Sequence, residues 1–232
     1  MSLTKAKETI SIFTQINITM HLTLLLIIGL TILTSFKGFN DLSFFRKYEF
    51  HIGSIRAGEH ARMFTSAFLH ADLGHLFFNM FTLYMFAPVV INYLDSFTFI
   101  IIYFGSLVFG SLLTLLFHKD EYSYRAIGAS GAVTGVLYSA ILLNPDMSLY
   151  MFFIPIPIPA YIFGIGYLLY SIYGMKAKND NIGHTAHFGG AIGGFLITLL
   201  KQPEMLTENT FMVVLLAIPI ALLFVLAKAG KL

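Results

Sequence analysis

Seven uncharged, apolar runs occupy most of this chain, each close to the roughly 20 residues that cross a bilayer core as a helix. They fall near 18–36, 73–94, 97–117, 126–144, 154–174, 185–200 and 210–227. Spanning segments of this length must satisfy their own backbone hydrogen bonds, which selects α-helix. The rest of the sequence agrees. The 232 residues are 57% hydrophobic and 11% charged, with mean hydropathy +0.78. Ordinary soluble domains carry about 25% charged residues. The expected fold is an all-α, polytopic transmembrane bundle in which six helices form a core and a seventh follows it.

The expected organisation is an N-terminal segment at 1–17, a core at 18–200 and a linker with an added helix at 201–232. Most connections are short. Asp95-Ser96 barely separates two runs, and Asn144-Pro145-Asp146 reads as a turn. One connection, 37–70, is long and mixes Arg46, Lys47, Glu49, Arg56, Glu59 and Arg62 with Phe39, Phe44, Phe45, Tyr48 and Phe50. Charge mixed with aromatic residues suits a loop partly embedded at the membrane interface. In Ile154-Pro-Ile-Pro-Ile-Pro159 every proline removes a backbone donor, so the fifth helix is expected to begin near Ala160. Cysteine is absent, which excludes disulfides and thiolate chemistry, and the net charge of +2 gives no reason to expect nucleic acid. The first apolar run follows Lys5 and Lys7 without a small-residue cleavage site and reads as a retained helix.

Polar groups inside spanning segments are costly and mark candidate functional sites. Three clusters stand out: His70, His75 and Asn79 at the second run, Ser130 within Gly128-Ala-Ser-Gly131 at the fourth, and His184 with His187 at the sixth. In successive crossings the second, fourth and sixth helices enter from the same face. Each cluster lies within the first two turns or so, so all three share a depth within roughly 10 Å of one surface. Gly131 and Gly135, and Gly190 and Gly194, form G-x-x-x-G faces through which the fourth and sixth helices can approach closely. Such contact would bring Ser130 to His187, the minimum for nucleophilic catalysis. No carboxylate lies on either run, so the expectation is a dyad without a third member. Each feature alone has a plainer reading. A serine among glycines packs, a histidine near a helix end is interfacial, and His75 with Asn79 can glue helices. A metal held by His70, His75, His184 and His187 lacks a nearby carboxylate and any H-E-x-x-H, and neither metal nor cofactor is expected.

Taken together, His70-Ala-Asp-Leu-Gly-His75-Leu-Phe-Phe-Asn79, Gly128-Ala-Ser-Gly131 and Ala186-His187-Phe-Gly-Gly190-Ala-Ile-Gly-Gly194 resemble the three signature motifs of rhomboid proteases, in order and spacing over roughly 18–200. The resemblance implies an intramembrane serine endopeptidase acting on transmembrane or membrane-adjacent segments of protein substrates. Ser130 matches the nucleophile and His187 the general base. His75, Asn79 and the Ser130 amide match the oxyanion donors. His70, Gly128, Gly131, Arg62, Gly190 and Gly194 match supporting positions. It also implies a cytoplasmic N-terminus and a site opening to the non-cytoplasmic side, here expected of a bacterial cell membrane. Charge counting favours the reverse orientation, since only Lys5, Lys7 and Lys201 of the 14 Lys and Arg residues would then lie inside. Two positions depart from the family. Ala61 replaces a frequent tryptophan, which would loosen the first loop. Thr134 replaces an aromatic that stacks under the histidine, which would weaken base positioning. The alternatives are a catalytically silent relative that binds membrane proteins and a small transporter or channel.

Overall fold

The computed structural model describes residues 21–151, 154–177 and 182–232; the expected N-terminal segment at 1–17, with Lys5 and Lys7, lies outside them. Among the described residues, seven long helices stand where the apolar runs lie: α1 Leu22–Asn40, α2 Leu73–Tyr93, α3 Ser96–Phe117, α4 Ser130–Leu143, α5 Ala160–Ala177, α6 His184–Lys201 and α7 Thr210–Lys228. Of these, α1, α2, α3 and α7 are each long and apolar enough to cross a membrane. Their outward faces carry exposed Leu22, Leu26, Leu33, Phe77, Phe78, Phe97, Leu116, Phe211 and Val225. Water would not tolerate such a belt, and lipid does. The chain is an integral membrane protein built as a helical bundle.

The sequence fixes the helix starts with polar caps. Asp72 accepts from the His75 amide at 2.8 Å and starts α2. Asp95 accepts from the Thr98 amide at 2.7 Å and from its hydroxyl at 2.9 Å and starts α3. Each carboxylate satisfies amides that have no intrahelical partner. Pro88 and Pro219 are both accommodated inside helices, in α2 and α7.

α4 is the axis of the bundle. Every residue from Gly131 to Leu143 is buried. Its 14 residues span roughly 21 Å, against about 30 Å of hydrocarbon. A helix this short falls short of the hydrocarbon thickness. The expected span of 126–144 overran its Ser130 end. Arg125–Ala126 instead forms strand β2, paired antiparallel with β1, Phe50–His51. Gly128 then takes φ +112°, a left-handed conformation that glycine adopts without strain.

α6 lies against α4 at backbone contact. A Cβ on Gly190 would collide with the Gly131 carbonyl, and one on Gly194 with the Gly135 carbonyl. Gly110 of α3 approaches the Ala186 carbonyl in the same way. The seam is also hydrogen-bonded. The Ser139 hydroxyl lies 2.9 Å from the Gly135 carbonyl and 3.2 Å from the Gly194 carbonyl, and Thr198 donates to Ser139 at 2.8 Å.

The 37–70 connection is ordered rather than plain loop. Short helical turns at Leu42–Tyr48, Ile52–Arg56 and Arg62–Thr65 lead into a 3-10 turn at Ser66–Phe68. Phe50, Ile52 and Ile55 form a small buried cluster of their own. Glu49, only 2% exposed, is paired with Arg46 and with Arg125 of β2. Arg62 binds Glu59 at 2.5 Å and donates to the Arg46 carbonyl at 2.8 Å and the Glu49 carbonyl at 3.1 Å. The loosening expected from Ala61 is therefore countered by a neighbour that pins three points.

The Ile-Pro segment is extended, as the missing donors require. It forms β4, Ile154–Pro159, paired with β3, Ser148–Met151, and α5 begins at Ala160. The hairpin partner was not evident beforehand, since β3 carries no strong strand pattern.

The seam gives the first prediction. Gly190→Leu forces a side chain into the Gly131 backbone and should lower stability by at least about 1–3 kcal/mol, read as a lower denaturation midpoint in SDS-containing mixed micelles. Gly166→Leu, where a Cβ meets open space, should leave the midpoint near that of wild type.

Candidate active site

The starts of α2, α4 and α6 converge on one cavity of about 1000 Å³. Ser130 opens α4, and His187 lies one turn into α6. The Ser130 hydroxyl and His187 Nε2 are 2.7 Å apart. His187 is buried, 4% exposed, yet it lines the cavity together with Ser130, His75 and Asn79. The two side chains that sequence spacing only allowed to meet are in hydrogen-bonding contact.

The cavity floor presents hydrogen-bond donors. Ser130 is the first helical residue of α4, so the amides there precede the first intrahelical acceptors and sit at the positive end of the helix dipole. Across from them, α2 presents His75 and Asn79 one turn apart. Asn79 Nδ2 donates to the His75 carbonyl at 3.0 Å, which fixes its rotamer along the helix. His75 Nδ1 accepts from the Ala71 amide at 3.4 Å. That leaves Nε2 to carry the proton, as a donor requires. The ring faces Gly128, where an added Cβ would come within 2.8 Å of it.

His70, in the segment before α2, supports rather than lines the cavity. Its Nε2 accepts from the Ala129 amide at 3.4 Å, and its Nδ1 contacts the Ser35 hydroxyl at 2.9 Å. Ser35 in turn donates to the Phe68 carbonyl at 3.0 Å. One neutral imidazole thus ties α1, the first loop and the residue before Ser130. Burial holds this imidazole far below its ordinary value, at about 3. Arg62 lies in the loop staple described above, away from the serine. Gly131, Gly190 and Gly194 lie at the α4–α6 backbone contact, and Gly128 lies against the His75 ring.

Two residues change the picture drawn from the sequence. Tyr167 of α5 stacks on His187, with ring centroids 5.2 Å apart and planes at 28°, and its hydroxyl lies 2.9 Å from His187 Nδ1. Thr134, read as a lost support, is buried and donates to the Ser130 carbonyl at 2.7 Å. The aromatic support missing from α4 comes from α5. No motif spacing points to Tyr167, because it is one of four tyrosines on a helix with no distinct apolar stripe. Among the described residues, no group of three His, Cys, Asp or Glu side chains is placed to hold a metal ion.

Comparison with known proteins decides the family. A Rhomboid domain matches residues 57–204. The chain belongs to the rhomboid family. Over 182 residues this rhomboid is 28% identical to RHOMBOID-like protein 12, mitochondrial, of Arabidopsis thaliana, covering 72% of the chain and 54% of that protein. It is 30% identical to the rhomboid YdcA of Bacillus subtilis over 154 residues, covering 63% of the chain and 69% of YdcA. It is also 30% identical to Rhomboid protein 1, mitochondrial, of Saccharomyces cerevisiae over 134 residues, covering 56% of the chain and 39% of that protein. The chain therefore spans about half the length of the plant relative and less of the yeast one. The mitochondrial names of these two weaken the expectation of a bacterial cell membrane.

His70 supplies a pH prediction. The folded state keeps this imidazole neutral, while the unfolded chain protonates it near pH 6.5. Its contribution to stability is intact above that pH and is lost progressively as pH falls toward about 3. Between pH 7 and pH 5 the loss should be roughly 2 kcal/mol. His70→Gln should flatten this part of the stability profile in mixed micelles, and an unchanged slope would contradict the assignment.

Proposed function

We propose that this rhomboid is an intramembrane serine endopeptidase with Ser130 as nucleophile and His187 as general base. The observation that carries the reading is the 2.7 Å contact between them, inside a cavity shared by the starts of α2, α4 and α6. His187 Nε2 takes the hydroxyl proton as Ser130 Oγ attacks a peptide carbonyl. The oxygen becomes an oxyanion facing the Ser130 amide, Asn79 Nδ2 and His75 Nε2, which stabilise charge that develops only in the transition state. Collapse breaks the C–N bond, and His187 returns the proton to the leaving amine. The acyl-enzyme on Ser130 is then hydrolysed by cavity water, with His187 again the base.

The substrate class follows from the depth of the cavity. A carbonyl must reach Ser130 below the surface, and an intact helix keeps its carbonyls hydrogen-bonded. Transmembrane proteins with small or helix-weakening residues near the membrane face fit this requirement. The cavity wall is shared by Phe78 of α2 and Phe163 and Tyr167 of α5, and α5 begins at a proline-rich hairpin, so α5 serves as the lateral entry. The reading includes a cytoplasmic N-terminus, with the cavity opening on the other side.

Two outcomes check the reading. Ser130→Ala and His187→Ala should each abolish cleavage of a model transmembrane substrate by purified protein, and a fluorophosphonate should label wild type but not Ser130→Ala. Asn79→Ala should lower kcat about 100-fold or more. The native chain has no cysteine, so a disulfide between cysteines introduced on α2 and α5 would be unique. Closing it should block membrane substrates and reduction should restore them; cleavage unaffected by the cross-link rules out entry between these helices.

A further inference from the structure

The cavity carries charge that Ser130 and His187 do not use. Arg46, in the helical turn Leu42–Tyr48, and Arg125, on β2, both line it, and Glu49 lies between them. Glu49 is buried, whereas the side chains of Arg46 and Arg125 are 55% and 42% exposed. A buried carboxylate requires a charged partner, and one arginine would serve. Here there are two. Arg46 Nη1 donates to both Glu49 carboxylate oxygens, at 3.3 and 3.2 Å, and Arg125 Nη1 donates to one of them.

Two guanidiniums brought to one place repel each other. Glu49 offsets that repulsion and fixes both heads, and two cations against one anion leave a positive charge over. Of the other charges nearby, Arg62 is matched by Glu59 at 2.5 Å. Asp72 lines the cavity from the α2 side, with Oδ1 engaged by the His75 amide. Among the described residues, each of the two guanidiniums uses only Nη1 on the protein. Nη2 and Nε of both remain at the cavity edge as a planar set of donors, the geometry that a second carboxylate fits.

Chain length sets the distance from this charge to the serine. Arg125 precedes Ser130 by five residues, a stretch that spans at most about 17 Å when fully extended. We propose that Arg46 and Arg125, held together by Glu49, form a subsite that selects substrates with an acidic residue within about five residues of the scissile bond. The scissile bond rests on the protease reading; recognition of an acidic segment does not. The rival assignment is a plain staple between the first loop and β2, for which a single arginine would suffice.

The first comparison needs no change to the protein. A model transmembrane substrate is made with Asp at each position of that window, and again with Asn. At the best position the Asp form should show about fivefold higher kcat/KM, the size expected of half-exposed ion pairs. The preference should shrink as salt rises from about 50 to about 500 mM. Arg46→Gln, which leaves Glu49 to Arg125, should reduce the ratio to about twofold or less, and Arg46→Lys should keep most of it. Binding to Ser130→Ala protein gives an arm that does not depend on cleavage, and the Asp form should bind about fivefold more tightly there. Equal affinity for the Asp and Asn forms at every position overturns the proposal. So does a preference that Arg46→Gln leaves intact, or an Arg46→Gln defect that follows the phosphatidylglycerol content of the vesicles and not the substrate charge. If the Asp form binds more tightly but wild type cleaves and labels with nothing, the protease reading fails and the acidic subsite stands.

Discussion

The contact on which the rest of this molecule depends is the meeting of α4 and α6 at their backbones. Gly131 and Gly135 face Gly190 and Gly194 with no room for a Cβ between them. In lipid there is no hydrophobic force between two apolar helices, so association relies on close packing and on hydrogen bonds across the seam. Ser139 and Thr198 provide those bonds here. The site inherits its precision from this seam. Ser130 and His187 sit at one end of it, each on a helix held by backbone contact and by hydrogen bonds across the seam.

Around that seam the first loop and α5 complete the site in different ways. The loop acts at the rim. β1 pairs with β2 just before Gly128, and Glu49 draws Arg46 and Arg125 together over the same region. His70 reaches from the loop end to the Ala129 amide. These contacts hold the start of α4, and Arg46, Glu49 and Arg125 also line the cavity. α5 acts from inside. It forms part of the cavity wall and also carries the tyrosine that stacks on His187. His187 is therefore held by a helix that borders the cavity, which couples the Ser130–His187 geometry to the state of that wall.

Much of this was legible in the sequence because membranes impose a simple code. Apolar run length placed the seven helices to within a few residues, except where β2 replaced the first turn expected of α4. Parity put His75, Asn79, Ser130 and His187 at one end, since the second, fourth and sixth crossings must start together. Paired glycines named the two helices that touch. Thr134 and Ala61 were read as losses for the same reason that made the rest readable: each was judged at its own position, without knowledge of what another segment brings to it.

The sequence by itself determined the bundle, the common depth of the polar clusters and the α4–α6 contact, because these follow from local periodicity, chain parity and the absence of side chains at four glycines. Only the tertiary structure decided which side chains meet His187. Tyr167 lies 20 residues from His187 along the chain, on a helix whose tyrosines, glycines and apolar residues are spread round all faces and give no rotational phase. Which of its faces meets His187 depends on how α5 packs against α4, through Gly164 and Tyr138. That is a property of three helices in contact, and no one of their sequences contains it.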